Sequence, residues 1–184
     1  SDKNNVTDKF DILNMIEYGE DYDDVGTEDY IKFKFFDTIN KKHIIFPATL
    51  TGFSDSVTPE WSSERYIGRP DNVHVYTGTV REIGFGFKVG IMSKQQLLIC
   101  WEKLNYLMGL TYPTWKNIGN SSRMEAPFIE LTIGDMFNRT PGYINSLAFN
   151  VEDTTPWDID RGTQLPKAID VELTFTHIGK HKLA

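Results

Sequence analysis

The chain has 184 residues, 40% of them hydrophobic and 24% charged, so it can bury one core and is too apolar for wholesale disorder. A lone cysteine, Cys100, excludes a disulfide framework, a multi-cysteine zinc site and a CxxC redox motif, and fits folding in a reducing compartment. No run approaches 18 uninterrupted apolar residues and no basic-apolar leader opens the chain, so neither a membrane span nor a signal peptide is expected; opening on Ser1 rather than Met leaves room for an upstream piece.

Charge divides the chain. Residues 1–30 carry Lys3 and Lys9 against ten acids, a net of −8; since the whole chain is −7, residues 31–184 sum to +1. The near-neutral body has no basic stripe, which argues against sequence-specific or counterion-release binding to nucleic acid, and its weak self-repulsion permits close association between copies. Residues 1–29 read as an acidic, flexible arm with one apolar cluster, Phe10, Ile12, Leu13 and Ile16, as a candidate anchor for a partner. Asp21 to Gly26 resembles the start of a calcium loop, but Val25 and Lys32 stand where oxygen ligands are needed, so a solvated linker is the better reading.

From residue 30 to 184 the pattern is one mainly β domain. Ile31, Phe33 and Phe35 alternate with Tyr30, Lys32 and Lys34, the period of a half-buried strand. Asn40-Lys41-Lys42 turns into a second strand over 43–50, which Pro47 places at an edge or bulge. Residues 51–71, rich in Ser, Gly and Pro, read as a loop. Strands over 72–76 and 79–89 follow, joined at Thr77-Gly78. Ile83, Phe85, Phe87 and Val89 share one face; Gly84 and Gly86 leave the other bare. The period then changes: Ser93 and Gln96 form a capping box opening a helix over about 93–109. Leu97, Leu98, Trp101, Leu104, Leu107 and Met108 form its apolar face, Cys100 is a small buried hydrophobe within it, and Gly109 is the expected C-cap. Strands over 127–133, 143–151 (after a Pro141-Gly142 turn) and 168–178 complete a β-sandwich or barrel of about seven strands with one long helix packed against it.

Catalytic signatures are lacking. His43, His74, His177 and His181 form no HExxH or His-x-His pair, so no metal is expected. There is no GxSxG elbow or P-loop, and Gly84-Phe85-Gly86 lies within a strand pattern rather than before a helix. Asp55, Glu60, Glu64, Asp71 and Asp158 near Trp61, Tyr66 or Trp157 leave a sugar-binding or sugar-cleaving cleft as the rival, tested by a glycan screen with Trp61→Ala and Trp157→Ala. A monomeric adaptor is a third reading. What stands out is aromatic material in loops. Phe53, Trp61, Tyr66, Trp115, Phe137 and Trp157 are candidate subunit or partner contacts, since aromatics dominate protein interfaces. Arg81, Lys88, Asp170 and Glu172, on strands polar on one face and apolar on the other, are candidate lumen or surface charges.

A series of phrases in order carries a resemblance: Thr51-Gly52-Phe53-Ser54-Asp55-Ser56, Trp61, Tyr66-Ile67-Gly68-Arg69, Val75-Tyr76-Thr77-Gly78 with Arg81, Lys103-Leu104-Asn105-Tyr106-Leu107, Thr111-Tyr112-Pro113, Leu131-Thr132-Ile133-Gly134-Asp135, Pro156-Trp157-Asp158, Leu165-Pro166 and the strand Val171 to Ile178. On these the chain resembles the tube-forming baseplate proteins of contractile-tailed bacteriophages, the tube-initiator and tube-cap group with a tail-tube-like fold, over about residues 30–181. The resemblance implies a virion structural subunit, not an enzyme and without cofactor, made and assembled in the bacterial host cytoplasm. It implies six-fold rings in which each subunit's sheet joins a continuous barrel, linking the baseplate hub to the tail tube and templating tube assembly. The implied partners are further copies, other tail-tube proteins and baseplate hub proteins, with no membrane. A carbohydrate-binding or carbohydrate-cleaving domain of the same tail apparatus is the alternative. The acidic arm has no counterpart in this pattern.

Overall fold

A computed structural model describes residues 15–19, 31, 33–47, 49–118, 121–161 and 164–179. The expected anchor residues Phe10, Ile12 and Leu13, the calcium-like stretch 21–26 and His181 lie outside them. The elements run β1 (Phe33–Asp37), β2 (Lys42–Ile45), β3 (Thr49–Glu64), β4 (Val73–Gly90), α1 (Lys94–Gly109), β5 (Thr114–Ile118), β6 (Ser121–Glu125), β7 (Ile129–Ile133), β8 (Phe137–Asn150) and β9 (Ala168–His177). The mainly β fold with a single long helix is as expected. Among the described residues there are nine strands rather than seven: seven in one antiparallel sheet of order β2-β1-β7-β8-β9-β4-β3, and two in a separate β5-β6 hairpin.

The sheet curls on itself. In a flat sheet β1 and β4, four strand spacings apart at about 4.8 Å each, would lie roughly 19 Å from one another. Yet the Phe33 ring on β1 meets Phe87 on β4 at 4.9 Å and Phe85 at 5.7 Å, with Phe46 at 5.3 Å from Phe87. The alternating residues expected to face inward do so: Ile83, Phe85, Phe87 and Val89 on β4, Ile129, Leu131 and Ile133 on β7, and Ile169, Val171, Leu173 and Phe175 on β9 are all buried in one cluster.

Helix α1 closes the core. Ser93 accepts the Gln96 N–H while the Gln96 side chain reaches back to the Ser93 N–H, so the capping box forms as read. Leu97, Cys100, Leu104 and Leu107 are buried, whereas Leu98 and Met108 are exposed, so the apolar stripe is narrower than expected. The C-cap is Leu110 in right-handed geometry, not Gly109. No helix among the described residues is long and apolar enough to cross a membrane.

Three other expectations are corrected. Residues 51–64 are not a loop: 49–64 form β3, which pairs with β4 from Thr49↔Lys88 out to Glu64↔Val73, and only 65–71 of the expected loop is a connection. The strands read as 72–76 and 79–89 are one 18-residue strand, with Thr77 accommodated where the β3–β4 register shifts opposite Glu60 and Trp61. Pro141-Gly142 is not a turn but the middle of β8; a Cβ at Gly142 would collide with the Thr176 carbonyl and the Phe175 ring. The β5-β6 hairpin carried no period-two signal and was not anticipated. Part of the arm is also seated on the body. Ile16 is buried, Tyr18 stacks on Tyr106 at 4.7 Å under the Lys42 ammonium, and the Gly19 N–H, at φ 112°, donates to the His43 carbonyl at 2.9 Å. Ile16 therefore anchors the chain to itself rather than to a partner.

Candidate functional site

The least complete part of the fold is a strand margin. β9 pairs with β4 only over Glu82–Gly90, so β4 from Val73 to Arg81 has β3 alone for company. The two strands leave the sheet as a ribbon that neither face of the body covers. Val57, Trp61, Tyr66, Ile67, Val75 and Tyr76 are all exposed on it, Trp61 at 60% and packed edge-to-face on Tyr76 at 5.3 Å. Along all 16 residues β3 has a neighbour on one side only, and its outer edge makes no backbone hydrogen bond to any described residue. Such a row of unmet N–H and C=O groups is a template for a further strand.

The sheet's non-core face is small and polar. Strand register sets Ser54, Gly84, Thr174 and Ser146 in one row and Thr51, Gly86, Glu172 and Ala148 in the next. All of these except Ser54 line a shallow groove of about 440 Å³. The face opposite Ile83–Val89 is therefore bare, as expected, but Gly84 and Gly86 are bare because β3 side chains need the room: a Cβ there would meet Ser54 Oγ at 2.8 Å and Thr51 Oγ1 at 2.9 Å.

Of the expected charges, Lys88, Asp170 and Glu172 share this polar face. Lys88 donates to Glu152 at 3.1 Å and lies 3.7 Å from Asp170; the bond to Glu152 and the charges of the two acids raise its pKa, and the same bond lowers that of Glu152. Arg81 does not share it. It falls on the core-side face with Ile83, where its guanidinium holds Asp55 through bonds of 2.5 and 2.9 Å and lies over the Phe137 ring at 5.4 Å. That bond depresses the Asp55 carboxyl and raises Arg81, so this carboxylate is already committed.

The expected aromatic contacts scatter. Trp61 and Tyr66 are on the ribbon, Phe53 sits on β3 at the register shift with its ring 5.8 Å from Phe137, Trp115 is exposed on β5, and Trp157 is exposed in the loop bridged to Pro166. Phe137 is 1% exposed and belongs to the core, so it offers no contact surface. Neither the groove nor a second cleft of about 310 Å³ beside Asp37, Tyr106 and Tyr112 is lined by Trp61, Trp157 or the carboxylates Asp55, Glu60, Glu64, Asp71 and Asp158. Among the described residues no three His, Cys, Asp or Glu side chains are placed to hold a metal. Sequence reasoning missed Val57, Ile67, Val75 and Tyr76 as exposed residues, because a ribbon wet on both faces has no hydrophobic period to read.

No protein-family model matches the chain, and no curated protein matches it. Among solved structures it is similar to a chain from the tail of an empty GTA particle with C6 symmetry, at 11% identity and a TM-score of 0.42, covering 84% of this chain and 95% of that one. A TM-score below 0.5 does not establish a shared fold, so function has to be inferred from the molecule's own surface.

Proposed function

We propose that the chain is a structural subunit of a bacteriophage tail or baseplate, assembling with copies of itself into a ring that links the baseplate hub to the tail tube and templates tube growth. One observation carries this reading: a 16-residue strand has its whole outer edge unpaired and continues into a ribbon bearing exposed apolar side chains. A folded monomer seldom leaves such a margin open, because it invites uncontrolled pairing; closure against further copies removes the hazard. The order of phrases that resembles the tube-initiator and tube-cap group supports the tail setting, the six-fold copy number and the hub and tube proteins as partners. The chain acts by assembly rather than catalysis and uses no cofactor.

Sedimentation velocity and negative-stain imaging over a concentration series, with the purified chain alone and mixed with the tail-tube subunit of the same phage, test this. Rings, or tubes that start from or end on this chain, are the expected result. A particle that stays monomeric throughout and neither caps nor seeds tubes overturns it.

A further inference from the structure

Resting on that assembly reading, we infer that copies join by pairing the outer edge of β3 in one subunit with the free edge of β8 over residues 143–150 in the next, and not through β2, the other end of the seven-strand order. The β2 margin is closed from inside. Alternate residues of an edge strand turn their carbonyls outward, and in this four-residue strand both His43 and Ile45 are engaged away from β1. The His43 carbonyl accepts the Gly19 N–H at 2.9 Å, and the Ile45 carbonyl accepts the Lys103 ammonium at 3.1 Å. Lys103 is 0% exposed and belongs to the helix that closes the core, so this cap cannot leave without opening the core.

The second open margin is inside the strand order. β7 pairs with β8 only as far as Gly142, and from Tyr143 to Asn150 β8 has β9 alone for a neighbour. The strands β8-β9-β4-β3 thus form a four-stranded sheet with bare margins at both sides. All its pairings are antiparallel, so β3 runs opposite to β8. A copy rotated about an axis along the strands keeps its strand directions, so its β8 meets the first copy's β3 antiparallel and the alternation continues around a ring. The faces continue as well: Ser54 and Ser146 end the same polar row, while Leu50 and Phe149 end the row that contains Phe87 and Val171 on the core side. The regular stretches match in length. On β3, the register shift after Thr51 and Pro59, which lacks an N–H, bound Ser54–Thr58; on β8 the shift at Asn145 leaves Ser146–Asn150.

Ser56 and Ala148 are exposed, lie on the polar face of the two margins, and the native Cys100 is fully buried, so paired cysteines report the join. The variants Ser56→Cys, Ala148→Cys and their combination are treated with a short bismaleimide at a concentration where the wild type assembles. A ladder of covalent oligomers from the double variant alone is expected. Dimers from Ser56→Cys alone mean β3 pairs with β3 about a two-fold axis, and assembly without any cross-link means other surfaces meet; either overturns the join while leaving the assembly reading standing. Failure of the wild type to assemble under any condition overturns both. Hydrogen exchange on the unmodified chain gives an independent readout: assembly protects the amides of 54–58 and 146–150 and leaves those of 43–45 unchanged, and the reverse pattern overturns the proposal.

Discussion

Lys103 carries a charge on a side chain with no exposed surface, and burial pushes its pKa down to about 8. Between about pH 8 and the ordinary lysine value the unfolded chain holds a proton here that the folded chain has shed, so stability rises with pH across that window. Cys100, one helical turn away, works in the opposite sense. Burial raises its thiol to about 11, so between about pH 9 and 11 the unfolded chain loses a proton that the folded chain keeps, and stability falls. From pH 8 to 9 only the lysine acts, worth up to about 1.4 kcal/mol per pH unit; above pH 9 the two slopes oppose each other. Urea titrations stepped from pH 7 to 11 check this: Lys103→Met abolishes the initial rise, and Cys100→Ala extends it. Asp37 gives a second case. Its burial by itself disfavours the carboxylate, but bonds from the Tyr106 hydroxyl at 2.6 Å, the Asn40 amide at 2.7 Å and the Ile39 N–H at 2.9 Å outweigh this and hold its pKa low. Tyr106→Phe keeps the ring against Tyr18 and removes one donor to a charged group, a loss of roughly 1.5–3 kcal/mol in urea unfolding at neutral pH. Because the folded Asp37 pKa then moves up toward its unfolded value, less stability is lost as pH falls below about 4.

At the scale of elements, three glycines rank by what surrounds them. Gly142→Ala drives a methyl group into the Thr176 carbonyl and the Phe175 ring, neither of which can step aside, and is expected to exceed the 1–3 kcal/mol usual for overpacking. Gly86→Ala meets the Thr51 carbonyl at 3.1 Å as well as its hydroxyl, and falls within that range. Gly84→Ala meets only the Ser54 hydroxyl, which can rotate, and costs least. Chemical denaturation of the three variants gives the order directly; a Gly142→Ala chain as stable as the wild type would break the argument. The same glycines show what the sequence does and does not disclose. Strands with one face in the core, such as Ile83–Val89 and Ile169–Phe175, announce themselves by alternation, and α1 by its capping box and wider period. Pro141-Gly142 reads as a turn because those residue types usually bend the chain, but here Gly142 is small so that Phe175 can cross it, a tertiary requirement with no local signature. Likewise β3 holds Gly52, Pro59 and seven serines and threonines that suggest a loop. Its strand geometry is imposed by pairing with β4, and its outer edge tolerates the proline. The open margin, the part of the candidate site that matters most, is therefore the part least visible in composition or period.

For the molecule as a whole, core and contact surface are separable. The buried cluster draws on β1, β2, β4, β7, β8, β9 and α1, and none of its members lies between Thr58 and Val80. Thr58 and Val80 face one another across the ribbon, so residues 59–79 can be replaced by Asn-Gly, a pair suited to a two-residue hairpin turn. The shortened chain loses no buried side chain and closes a shorter connection, so its unfolding free energy is expected to stay within about 1 kcal/mol of the wild type. Its self-association is expected to weaken markedly, because Trp61, Tyr66, Ile67, Val75 and Tyr76 go with the ribbon, and large apolar and aromatic side chains of this kind supply most of the energy at protein contacts. Urea unfolding and sedimentation velocity on the same preparation separate the two effects. If association survives intact, the ribbon is not a contact and the β3 edge within the body, Thr49–Thr58, must carry the join unaided. If stability collapses instead, the ribbon is part of the fold rather than an appendage, and its exposed aromatics lose their meaning as an assembly surface.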